Sequence, residues 1–222
     1  LKIRSALAVL FCSWLAMPAP LAASPPQSEA VPVVSRQIAN FKIGSDEKRF
    51  GDLEFVGGLE LSSSNPLLGA VSSIRFRADA KSFVAVLDTG HWLEGSVTRD
   101  AQGRLSGLGD VTVTSMMDGE GRSERVKQLM DSEGLALRNG QALVSFEQHH
   151  RVDVYPDPGF AQAKPIASLP ILIPQGALRG NRGLETIAVS PPAVRSTALS
   201  LSFPNSASTG PITSWLPLSM VR

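Results

Sequence analysis

The chain holds one cysteine, one tyrosine and three histidines in 222 residues. The cysteine, Cys12, lies in a stretch with the form of a secretory leader, so the mature chain has neither a disulfide nor a thiol nucleophile. No Gly-x-Ser-x-Gly elbow occurs, which excludes an α/β-type serine hydrolase, and there is no His-Glu-x-x-His zinc helix. An Arg-His-Gly signature is also missing. Asp88-Thr89-Gly90 occurs once, whereas aspartic-protease chemistry needs two carboxylates sharing a proton. Charge of either sign is not in excess, with 21 Lys and Arg against 20 Asp and Glu. A basic nucleic-acid surface and an acidic tail are therefore both excluded.

The N-terminal 23 residues carry Lys2 and Arg4, an apolar run from Ala6 to Ala16, then proline and small residues ending at Ala22-Ala23. This is the pattern of a signal peptide cleaved near Ala23, and its apolar run is too short for a permanent span. The expected location is periplasmic or secreted, with no stable membrane anchor after cleavage. Residues 24–40 read as an exposed lead-in whose prolines prevent regular structure.

From Phe41 the texture changes to short alternating segments bounded by Gly, Pro, Asp or Asn, including SSIRFR, SFVAVLD, GLALR, ALVSFE and RVDVY. Arg138-Asn139-Gly140-Gln141 is a two-residue hairpin turn, since Asn-Gly accepts positive φ. A short helix is possible only around residues 123–130. The fold class is all-β. Ile74 aligns with Leu135, Phe76 with Leu137, and the VAVLD ending at Asp88 with the VSFE ending at Glu147. NRGLETIAVS (181–190) opens a third unit. Recurrence of a multi-strand unit about every 50 to 60 residues predicts β-propeller-like repeats of short antiparallel strands over residues 41–192. Ten or so strands fall short of about four blades, so the ring is expected to be incomplete. Residues 193–222 contain no Asp or Glu; Thr197–Phe203 could form one more strand, and nothing beyond it carries a burying pattern.

Acids recur at strand ends. Asp88 and Glu147 close equivalent strands, Glu133 and Glu185 flank the Gly-Leu strand starts, and Asp131 is nearby. A propeller brings such positions together over one mouth, where converging carboxylates suit a divalent cation. The metal ligands expected are Asp88, Glu133, Glu147 and Glu185, with calcium the first candidate. Catalysis would fall to Glu133, Glu147, Asp88 and His91, His91 (or His149 or His150) moving a proton near neutral pH. Arg151, Arg179 and Arg182 offer fixed charge for phosphate oxygens. The plainer reading makes each acid a turn cap, or a partner of Arg151.

GGLEL (57–61), SSIRF…FVAVLDTGHWL (72–93), RDAQGRLSGL (99–108), DSEGLAL (131–137), LVSFEQHHRVDVYP (143–156) and NRGLETIAV (181–189) resemble the phytase-like family, bacterial proteins with "esterase-like activity of phytase". The resemblance implies an exported propeller hydrolysing small-molecule phosphoesters. It places the family's acids on Asp88, Glu133, Glu147 and Glu185, with Arg151 and Asn181 in the same motifs. It also implies further blades after residue 192, which a frameshift or early stop would remove, leaving an inactive remnant, or which a short member would replace by oligomerising. A non-catalytic propeller binding a ligand or protein is the alternative reading.

Overall fold

A computed structural model describes residues 26–123 and 129–190, together with the backbone of 198–202 and 214–217. The leader, and five of the eight residues of the possible helix at 123–130, lie outside the described residues. No α-helix occurs among those described.

The first sheet is a meander of β6 (Val71–Phe76), β7 (Ser82–Leu87), β8 (His91–Arg99) and β9 (Leu105–Ser115). Its outer edge takes a fifth strand, β1 (Glu29–Ala30), against Thr112 and Val113. The second sheet repeats the meander with β10 (Ser132–Arg138), β11 (Gln141–Phe146), β12 (Arg151–Pro156) and β13 (Ala167–Leu169). The third contains β14 (Thr186–Val189), β15 (Ala198–Ser202) and β16 (Ser214–Pro217). Two small hairpins precede them, β2 (Val34–Ile38) with β5 (Gly58–Ser62) and β3 (Arg49–Phe50) with β4 (Leu53–Glu54). Among the described residues all pairings are antiparallel and no sheet closes, as in an incomplete propeller, here of three blades.

The alternation within each strand explains the stacking. Along β7, Phe83, Ala85 and Leu87 face one side of blade 1 while Val84 and Val86 face the other, and all five are buried. A sheet apolar on both faces must be covered on both. Val84, Val86 and Trp92 of blade 1 meet Leu135, Val144, Phe146 and Tyr155 of blade 2. Leu143, Val152 and Val154 on the opposite face of blade 2 meet Ile187 of blade 3. The outer face of blade 1 is covered by Val31 and Val33 of the leading segment and by Leu67 and Leu68. That cover stops short of the inner strand, so Val71, Ile74 and Phe76 stay about half exposed.

Two expectations change here. The segment 24–40 is not without structure: its prolines flank β1 and β2 instead of interrupting them, and Val31 is buried. Beyond β15, Ser214–Pro217 forms β16 despite the tail's lack of pattern. Trp215 belongs to the aromatic residues enriched in strands, and the partner strand β15 supplies the hydrogen bonds. The Asn-Gly turn is as expected, with Asn139 at φ 49° and Gly140 at φ 74°.

Candidate metal centre

The inner strands begin irregularly, and that irregularity builds the site. In β10, Ser132 pairs with Phe146 and Gly134 with Ser145, leaving Glu133 as the extra residue of a β-bulge. Ser72 is the extra residue of the same bulge in blade 1, between Val71 opposite Leu87 and Ser73 opposite Val86. Bulges re-aim a side chain out of the strand's alternation. Here the device turns Glu133 toward the start of the inner strands.

Gly134 is required beside it. A Cβ there would lie 2.5 Å from the Ser145 hydroxyl and 2.7 Å from the Ile187 nitrogen. The Ser145 hydroxyl accepts from the Gly134 N–H at 2.9 Å and donates to the Leu184 carbonyl at 2.7 Å, tying the bulge to blade 3. Ser132 donates to the Leu87 carbonyl at 2.5 Å, tying blade 2 to blade 1.

Asp131 precedes β10 and Glu147 follows β11, and the Glu147 N–H donates to the Asp131 carbonyl at 2.8 Å. The matching bond in blade 1 runs from the Asp88 N–H to the Ala70 carbonyl at 3.0 Å, so Asp88 and Glu147 are equivalent positions. Asp131, Glu133 and Glu147 each offer a carboxylate oxygen within 4.8 Å of the others. Asp131 and Glu147 are buried and Glu133 is half-buried. Glu147 Oε1 also accepts from the Gly183 N–H at 2.5 Å, which brings blade 3 to the same point. Glu185 stands near enough to Glu147 for their like charges to oppose each other.

The crowding shows in the acidities. Burial raises the Glu133 carboxyl from 4.5 to about 7, with Asp131, Glu147 and Glu185 adding repulsion and a Ser72 hydrogen bond opposing it. Burial also raises Glu147; the Gly183 N–H works against that rise, and Glu185 and Asp131 reinforce it. Carboxyls this close repel when ionised, so each holds its proton more tightly beside the others than alone. A donor set of carboxylate oxygens alone, unable to ionise fully together, fits a hard divalent cation such as Ca²⁺ or Mg²⁺. Asp131, Glu133 and Glu147 are the residues that would hold it, with Glu185 next to them.

The other expected site residues fall in three places. Asp88 lies at the corresponding corner of blade 1, outside the group of three. His91 begins β8, half-buried, with Nδ1 3.0 Å from the Thr89 hydroxyl, and burial lowers its pKa. Arg151 engages Asp153 at 2.7 Å and lies 3.8 Å over the Phe146 ring. Arg179, Asn181 and Arg182 are exposed on a turn docked to the corner after Glu147, where the Gln148 N–H donates to the Gly180 carbonyl at 3.1 Å. His149 is exposed, and the buried His150 ring packs against Gly183.

Asp131 entered the sequence reading only as a neighbour, and Ser72 only as part of the Val71-Ser72-Ser73 strand start, which stands where the family more usually has a Gly-rich one. Both become visible once the inner strands are aligned as Ser72-Ser73-Ile74, Glu133-Gly134-Leu135 and Glu185-Thr186-Ile187. That alignment corrects the one based on the Gly-Leu pairs, because Ile187 opposite Leu201 and Leu135 opposite Val144 fill matching places toward the preceding blade.

Among the described residues no helix is long and apolar enough to cross a membrane. No curated protein and no solved structure matches the chain. A family model matches residues 66–201, well over half of the sequence, and spans the first two blades, the carboxylate cluster and the start of the third. The chain belongs to the phytase-like family, described by the esterase-like activity of phytase.

Proposed function

We propose that this chain is an exported phosphoester hydrolase that works with a divalent cation, calcium being the first candidate. The observation that carries the reading is the convergence of Asp131, Glu133 and Glu147 within 4.8 Å in a chain of the phytase-like family. Export rests on the leader-like residues 1–23.

A bound cation would supply Lewis-acid polarisation of the substrate's phosphoryl oxygens. Asp131 and Glu147 are the buried ligands, held by the strand ends and by the Gly183 N–H. Glu133, half-buried with its carboxyl near neutrality, is placed to hold or give up a proton at the edge of the site. Arg179, Asn181 and Arg182 on the adjacent exposed turn provide the charge and donors that suit phosphate oxygens.

The test is hydrolysis of chromogenic phosphomonoester, phosphodiester and carboxylic ester substrates before and after chelation, with Glu133→Gln alongside. Turnover lost with chelator, restored by calcium and abolished by the substitution is expected. Activity that survives chelation removes the cation from the mechanism. No turnover on any ester, with calcium still raising the melting temperature, favours a binding propeller.

A further inference from the structure

Arg75 is a half-buried cation that meets no acid among the described residues. It lies opposite Val84 in the β6–β7 ladder and so faces blade 2 with Val84 and Val86. The edge strands β6, β10 and β14 stand side by side, with β10 in the middle. The Arg75 side chain reaches beyond β10 to the third of them, where Nη2 donates to the Ile187 carbonyl at 3.3 Å. Nη1 donates to the Ile74 carbonyl at 2.8 Å and to the Ser73 hydroxyl at 3.2 Å. Burial lowers the pKa of the guanidinium, and no neighbouring acid raises it again. Arg77 and Arg151, also half-buried, each hold an aspartate, Asp157 at 2.5 Å and Asp153 at 2.7 Å.

A charged side chain taken out of water needs a partner to offset the cost of desolvation. Three neutral acceptors fix the Arg75 guanidinium across two blades and leave its charge unanswered. They take three of its five N–H groups, so Nε–H and one Nη2–H are left. Two such donors on a planar guanidinium match two oxygens of a tetrahedral oxyanion. We propose that Arg75 is an anion-binding residue where the three inner strands meet, taking inorganic phosphate or the phosphoryl group of a substrate. The choice of a phosphoryl group rests on the phosphoester reading above, whereas the site itself needs no cation. Unlike the exposed Arg179 and Arg182, Arg75 is held in place before a ligand arrives, so binding costs it little ordering.

The experiment is calorimetric titration of inorganic phosphate, in the presence of chelator, into the wild-type chain, Arg75→Met and Arg75→Lys, with thermal unfolding of each protein without phosphate. Phosphate is expected to bind the wild-type chain. Both variants should bind it about tenfold or more weakly, since the first loses the charge and both lose the paired donors. Without phosphate, Arg75→Met is expected to melt no lower than the wild-type chain, because it removes a charge that nothing offsets. Wild-type phosphate affinity in Arg75→Met overturns the proposal, as does a wild-type chain that binds no phosphate. Melting temperatures lowered in both variants without phosphate make the guanidinium a tie between blades 1 and 3, which also overturns it. Competitive inhibition of phosphomonoester hydrolysis by phosphate, with KM raised and kcat kept in Arg75→Lys, assigns the site to the substrate's phosphoryl group. Phosphate binding that needs Arg75 in a chain that turns over no ester makes it a site for free phosphate, so Arg75 stands while the hydrolase reading falls.

Discussion

Arg77 and Asp157 join blade 1 to blade 2 across 80 residues of sequence, with Nη1 2.5 Å from Oδ2 and Nη2 2.9 Å from Oδ1. Arg77 follows β6 and Asp157 follows β12. The guanidinium also opposes the rise that burial imposes on the Glu94 carboxyl, so one cation serves two acids.

That sharing makes the pair asymmetric. Arg77→Met leaves Asp157 and Glu94 facing each other with no cation, whereas Asp157→Asn leaves Arg77 with Glu94. Hydrogen bonds to charged groups contribute about 1.5–3 kcal/mol each. Arg77→Met is expected to destabilise by the larger amount and to be partly rescued by acid, in urea unfolding at several pH values. Equal losses would show that Glu94 does not depend on Arg77.

Proton linkage follows from Glu133. Its folded pKa of about 7 exceeds the ordinary 4.5, so the folded cation-free chain binds more protons than the unfolded one between those values. The stability contributed by Glu133 should therefore be full below about pH 4.5, fall as pH rises through the window, and level off above about 7. Saturating calcium should flatten that slope and release protons on binding, seen as a buffer-dependent heat. Glu133→Gln should remove the slope contribution without calcium.

Gly183→Ala should disturb both the fold and the site. A Cβ at Gly183 would collide with the buried His150 ring, and relieving the clash moves the N–H that holds Glu147. Overpacking of this kind costs about 1–3 kcal/mol. Gly176→Ala is the control, since nothing lies within 4 Å of its added Cβ. Loss of melting temperature and of calcium affinity in the first variant alone is expected.

Equivalent positions should respond unequally. Leu135 is fully buried against blade 1, while Ile74, its counterpart, is 43% exposed because no sheet among the described residues covers that part of blade 1. Leu135→Ala should cost about 2–5 kcal/mol, and Ile74→Ala under about 1 kcal/mol. Matching losses in denaturant melts would mean that the face of β6 is covered in solution.

The strands of blades 1 and 2 were legible because their period-two patterns and turn residues agree: Val84, Val86, Leu135 and Val144 alternate with side chains of the opposite face. The pairing of Asp88 with Glu147 was legible for the same reason. Less visible was the bulge, since an extra residue in a ladder changes the pairing and leaves the composition untouched. Without it, Glu133 cannot be grouped with Asp131 and Glu147. The recurring acids also divide in a way that spacing alone does not show. Asp79, Asp100 and Asp118 cap their own turns through neighbouring N–H groups, as at Asp100, which accepts from Gln102 and Arg104. Glu133 and Glu147 instead reach out of their own hairpins.

Because blade 2 has a neighbouring blade on each face, its opening requires two interfaces to part, whereas blade 1 can loosen by shedding its leading segment. Amide exchange should accordingly be slowest along β11 and quickest toward the outer strands of blade 1. The carboxylates hang from the two ends of the β10–β11 hairpin, so the chemistry would be anchored to the part of the chain that moves least.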